Sequence, residues 1–163
     1  TTDGYYYYEE KFILIEENGT MKLSIAEYIG DENPNIKVED NNMIVEILNK
    51  SVDYETETYK IKITNKTDKY IVISDNKQNN EIRLDLGQSL RTPTNMALAF
   101  FYVAPNGSTT QEITFNKYYD DNLVAKKIIF GAIRIFNNYD WKVGTTQENI
   151  DNAVSLYGIE IDL

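Results

Sequence analysis

Three short stretches hold the residue types from which a site would be built. YYDDN at residues 118–122 sets Tyr118, Tyr119, Asp120 and Asp121 side by side, and NNYDWKV at 137–143 holds Tyr139 and the only tryptophan, Trp141. GDEN at 30–33, just before Pro34, is the third. Hard cations such as calcium need several oxygens converging from one loop, and two adjacent aspartates supply too few. Nothing follows the spacing of an EF-hand loop, so both acidic stretches read as solvated turns. Tyr139 and Trp141 are two residues apart and share a face if the chain is extended there. Such a pair can stack on a sugar ring; the competing reading makes Trp141 part of the core or a lid on it. Glycoside hydrolysis needs two carboxylates facing each other across a cleft, and no such pair can be read here. The candidate ligand-binding residues are therefore Tyr118, Tyr119, Asp120, Tyr139 and Trp141. No catalytic residue, metal or cofactor is assigned.

Composition narrows the chemistry further. The chain of 163 residues has neither cysteine nor histidine. That excludes disulfides, thiolate nucleophiles and cysteine-ligated metals, and it excludes Ser-His-Asp and Cys-His sites. Carboxylate pairs and Ser–Lys arrangements survive, but the expectation is a protein that is not an enzyme. A net charge of −10 argues against nucleic acid or an anionic membrane as partner. The longest apolar run, MALAFFYVA at 96–104, falls far short of the ~20 residues that span a bilayer. Residues 1–10 are polar and tyrosine-rich and do not read as a signal peptide. The domain itself is expected not to insert in a membrane and to be a monomer.

The elements that would position these residues show a period of two, the mark of strands. Asn18-Gly19 lies between two alternating runs within residues 9–29 and predicts a type I′ hairpin pairing Glu17 with Thr20, Leu14 with Leu23 and Phe12 with Ile25. Those last four fall on one face, as a half-buried hairpin requires. GYYYY at 4–8 extends one arm, with Tyr6 and Tyr8 on one face and Tyr5 and Tyr7 on the other, so the four rings cannot form a single platform. Further strands are read at 43–48, twice within 59–75 around a polar turn at 65–68, and at 81–87. Asn106-Gly107 predicts a second hairpin over 98–115, pairing Phe100 with Ile113 and Leu98 with Phe115. KKIIFGAIRIF at 126–136 changes phase at Gly131, which predicts a β-bulge. Thr145 and Glu148 form a capping box that predicts one short helix near 146–153. The chain closes on YGIEIDL with Ile159, Ile161 and Leu163 inward. Asn18, Asn49, Asn65 and Asn106 stand in Asn-x-Ser/Thr sequons, as chance predicts in an asparagine-rich chain.

About ten short strands with turns between them predict one all-β domain over 1–163, a two-sheet β-sandwich, with a barrel as the alternative. YKIKITNKTDKYIVI, LAFFYVAPNGSTTQEITF and KIIFGAIRIF together resemble the corresponding strands of immunoglobulin-like domains on exported lipoproteins and surface proteins of Gram-positive bacteria. The resemblance covers roughly residues 43–136. It implies an immunoglobulin-like sandwich, and an extracytoplasmic location, secreted or tethered to the cell surface. It brings no catalytic residues. The expected function is a non-catalytic binding or structural module, its partner an unknown protein or a cell-wall glycan. The alternatives are a carbohydrate-binding module using Tyr139 and Trp141, and a carboxylate-dependent hydrolase.

Overall fold

The computed structural model describes residues 13–24, 28–53, 55–74, 81–94, 99–117, 123–140 and 151–163. Among these there are thirteen strands. β1 (Ile13–Glu17) and β2 (Thr20–Ser24) form a two-stranded sheet of their own. Five strands make one large antiparallel sheet: β3 (Tyr28–Glu32), β4 (Ile36–Glu39), β5 (Met43–Asp53), β6 (Thr56–Asn65) and β11 (Ser108–Asn116). Six make the other: β7 (Tyr70–Ile73), β8 (Ile82–Asp85), β9 (Leu90–Arg91), β10 (Phe101–Val103), β12 (Lys127–Phe136) and β13 (Ser155–Asp162). The chain is an all-β two-sheet sandwich.

Each sheet is organised around one long strand. β5 pairs with β6 along one edge and with β4 and β3, end to end, along the other. β12 pairs with β13 along one edge and with β8 and β7, end to end, along the other. Alternation decides what each strand buries. Tyr59, Ile61 and Ile63 of β6 are fully buried, while Lys60 and Lys62 between them point outward. Their counterparts across the core include Ile71, Ile73, Phe101, Val103, Phe130 and Ile133.

The predicted bulge in β12 is present. Its pairing with β13 shifts register between Phe130 and Ile133, and there β12 passes from β8 to β7. The Gly131 N–H donates to Glu81 O at 2.7 Å. Gly158 lies against the same bulge: a Cβ there would stand 2.9 Å from Phe130 O and 3.2 Å from Gly131 O. A second bulge, between Ile47 and Asn49 of β5, was not foreseen.

The two Asn-Gly pairs behave differently. Asn18 and Gly19 have φ of 54° and 76°, the two left-handed residues of a type I′ turn, and Glu17–Thr20 and Leu14–Leu23 pair as expected. Phe12 and Ile25 lie outside the described residues, as do the tyrosines of 5–8. The expected burial fails at Leu14, which is 54% exposed. At the second pair the hairpin expectation is overturned. β10 pairs with β7 and β11 with β6, so the chain crosses from one sheet to the other. Pro105 is the reason. It fixes a negative φ at the first central position, Asn106 follows at φ 53°, and the Gly107 N–H closes the turn on Ala104 O at 3.0 Å. That is a type II turn centred one residue earlier than a hairpin would need. The inward residues are accordingly Ala99, Phe101 and Val103, not Phe100, and Leu98 lies outside the described residues.

Two smaller expectations also change. Gly30–Glu32 of the acidic stretch belong to β3 and pair with Val52–Lys50, because the chain there runs as an edge strand. Leu163 is 37% exposed, one residue past the end of β13, while Ile161 is buried. Of the helix expected near 146–153, residues 146–150 lie outside the described residues, and Asp151 is helical.

Tyr59 gives the fold a pH response. Its hydroxyl, in the core, donates to Oε2 of buried Glu57 at 2.9 Å. Burial pushes its pKa well above the usual phenol range, and the adjacent Glu57 carboxylate adds to the shift. Burial also pushes Tyr157 up, to about 12. In the unfolded chain both titrate near their ordinary value, about 10. The folded state then holds more protons than the unfolded one above that pH, so stability is complete below pH ~10 and falls as pH rises through 10 and beyond 12. For Tyr59 the slope is at most about 1.4 kcal/mol per pH unit. Urea midpoints measured from neutral pH upward should fall in this window, and Tyr59→Phe should flatten the decline.

Candidate functional site

On the outer face of the six-stranded sheet, alternation turns Tyr70 and Val72 of β7, Tyr102 of β10 and Arg134 and Phe136 of β12 away from the core. The ladder sets them in two rows: Tyr102, Val72, Arg134 and Leu156 lie side by side across four strands, and Tyr70 lies opposite Phe136. The rings of Tyr70 and Tyr102 stack with centroids 5.7 Å apart and planes 21° from parallel. β12 ends at Phe136, and Tyr139 just beyond it leans back over the sheet. Its ring lies 5.7 Å from Tyr102 and 5.1 Å from Phe136. Phe136 and Val72 are buried on this face, while Tyr70, Tyr102 and Tyr139 are half-buried.

The result is a continuous row of three tyrosine rings floored by apolar side chains. Burial raises the Tyr102 pKa, and neighbouring Tyr70, Tyr139 and Asp140 add to it. Tyr102 therefore remains a neutral phenol in any physiological medium. The row offers π faces and hydroxyls together, which suits a ligand with both C–H surface and hydroxyl groups.

Beside this row, Arg134 forms a two-pronged ion pair with Glu81. Nη1 donates to Oε2 at 2.9 Å and Nη2 to Oε1 at 3.0 Å, with the arginine side chain 11% exposed. Its Nε has no hydrogen-bond partner among the described residues.

The five-stranded sheet carries a different feature on its own outer face. Asn49, Ser51, Asp53, Thr58, Lys60 and Glu112 line an open groove of about 220 Å³. Much of its hydrogen-bonding capacity is already used. Asn49 Nδ2 donates to Asp31, and the Thr58 and Thr114 hydroxyls bond each other at 2.9 Å. Asp53 accepts from the N–H groups of Glu55 and Thr56 and from the Thr56 hydroxyl, at 2.8, 2.5 and 2.7 Å. Burial works to raise the Asp53 pKa, but these bonds and Lys117 outweigh it and hold the carboxyl below its usual range. A carboxylate so occupied is a turn cap and a poor general base.

Of the residues singled out from sequence, Tyr139 is therefore placed in an aromatic row, by ring packing and not as part of a strand. Tyr118, Tyr119, Asp120 and Trp141 lie outside the described residues. Tyr70 and Tyr102 were missed. Alternation alone would have turned Tyr102 outward between Phe101 and Val103, but only the β7–β10 pairing brings it to Tyr70. Among the described residues no group of three His, Cys, Asp or Glu side chains could hold a metal ion, and no helix is long and apolar enough to cross a membrane. The sequon at Asn65 is closed to modification, since that side chain is 2% exposed and fully hydrogen-bonded. Comparison with protein-family models, with curated proteins and with solved structures finds no match.

Proposed function

We propose that the protein is a non-catalytic binding module that takes a neutral glycan, such as a cell-wall polysaccharide, on the outer face of its six-stranded sheet. One observation carries this reading: Tyr70, Tyr102 and Tyr139 form a half-buried ring row held by packing on a rigid sheet. Sugar rings present C–H faces that stack on aromatic rings and hydroxyls that bond to phenols. A preorganised row loses little conformational entropy on binding. The charge of −10 selects against anionic polymers. Hydrolysis is disfavoured because the Asp53 carboxylate in the polar groove is occupied by backbone and threonine donors. The resemblance of residues 43–136 to exported bacterial surface domains favours a location outside the cytoplasm, secreted or tethered at the cell surface. That resemblance also supports an immunoglobulin-like assignment of the sandwich.

A screen of neutral glycans and cell-wall fragments tests the proposal. Tyr102→Ala should weaken binding at least about tenfold, the worth of one stacked ring. Lys60→Ala, in the polar groove, should leave it unchanged. The opposite pattern would move the site to the other sheet.

A further inference from the structure

The two Asn-Gly pairs are chemically alike and are held in different turns. An asparagine followed by glycine can deamidate without any enzyme. The backbone nitrogen of the glycine attacks the asparagine Cγ, the new N–Cγ bond closes a cyclic imide, and the Cγ–Nδ2 bond breaks. Nδ2 leaves as ammonia, carrying the proton lost from the amide. Water then opens the imide at either carbonyl to leave aspartate or isoaspartate. The step needs a glycine N–H that is free to lose its proton and to swing toward the side chain.

At the first pair that N–H has no hydrogen-bond partner among the described residues. In a two-residue type I′ loop the closing hydrogen bond joins the flanking pair, Glu17 and Thr20, and the Gly19 N–H stands outside it. Asn18 and Gly19 are both exposed. At the second pair the same atom is the one the turn uses: the Gly107 N–H donates to Ala104 O at 3.0 Å. That turn is tied down further, with the Asn106 N–H on Thr67 O at 2.9 Å and Gly107 O accepting from the Asn65 N–H at 2.9 Å. We infer that the tip of the first hairpin, Asn18-Gly19, is a site of spontaneous deamidation, and that Asn106-Gly107 is protected by its turn. Conversion at Asn18 adds a negative charge, and as isoaspartate it inserts an extra backbone carbon into the two-residue loop that sets the Glu17–Thr20 pairing.

The test is peptide mapping by mass spectrometry of the intact protein aged in mildly alkaline buffer, beside the same protein aged in denaturant. In the folded protein Asn18 should convert at least about tenfold faster than Asn106, since Gly107 reacts only after local opening. In denaturant the two rates should converge, because the local sequences are Asn-Gly-Thr and Asn-Gly-Ser. Equal rates in the folded protein, a faster Asn106, or no conversion of Asn18 where the denatured chain converts would each overturn the inference.

Discussion

Replacing Asn65 with aspartate is expected to lower stability by about 4 kcal/mol, although the two side chains have nearly the same shape. Asn65 ends β6 at the point where the chain leaves the five-stranded sheet. Its Nδ2 donates to Lys69 O at 2.6 Å and to Ala104 O at 3.0 Å, with Val103 O more distant at 3.4 Å. Its Oδ1 accepts from the Thr67 N–H at 2.9 Å and from the Thr67 hydroxyl at 2.8 Å. One side chain thus fastens the turn that carries β6 into β7 to the turn that carries β10 into β11. Aspartate keeps the acceptor half and turns a second oxygen toward carbonyl oxygens, in a position 2% exposed. Burial would raise the pKa of the introduced carboxyl, so its protonated form suits the fold better. The deficit against the native protein should accordingly narrow as pH falls through the raised pKa of the folded state toward the ordinary carboxylate value, about 4, and level off below it. Asn65→Ala leaves the same carbonyls without donors and should cost about 3 kcal/mol. Urea midpoints for both variants measure this, and a loss under about 1 kcal/mol for Asn65→Asp would contradict the role assigned to it.

Arg134→Ala should cost about 3 kcal/mol, the usual result of stranding one partner of a buried ion pair. Glu81 would keep a carboxylate that is 22% exposed and has lost both guanidinium bonds. Glu81 also anchors the bulge, with its carbonyl on the Gly131 N–H and its own N–H on the Ser74 hydroxyl at 3.3 Å. The pair is not expected to be a net source of stability. The Arg134 Nε already lacks a partner among the described residues, and Val72 and Leu156 flank the arginine in its row. Replacing both Arg134 and Glu81 with leucine should therefore restore most of what either single change loses. A double-mutant cycle with additive losses would show that the two side chains do not act as a pair.

How much of this was legible in the sequence depended on how local the signal was. Asn18-Gly19 and the phase change at Gly131 are written within a few residues, and both formed as read. The Asn106-Gly107 hairpin failed although its signal looked the same. Pro105 moved the turn by one residue, and the flanking strands found better partners in β6 and β7. β3, β4 and β9 were missed because a short edge strand carries little alternation of its own. Asn65 looked like the start of a polar turn. Only the fold shows that its amide meets Ala104, far away in sequence. The site was less legible still. Tyr139 was singled out as a possible stacking residue, but the ring row needs Tyr70 and Tyr102, which meet only through pairing between strands distant in the chain.

Ligand is proposed to meet the tyrosine row of the six-stranded sheet. Amide chemical-shift mapping of isotopically labelled protein, titrated with neutral cell-wall glycan fragments, tests it most directly. Saturable shifts should appear, confined to β7, β10 and residues 136–140, and Tyr102→Ala should abolish them. Shifts centred on β5, β6 and β11 around Asn49, Thr58 and Lys60, or no saturable shift with any neutral glycan, would contradict it.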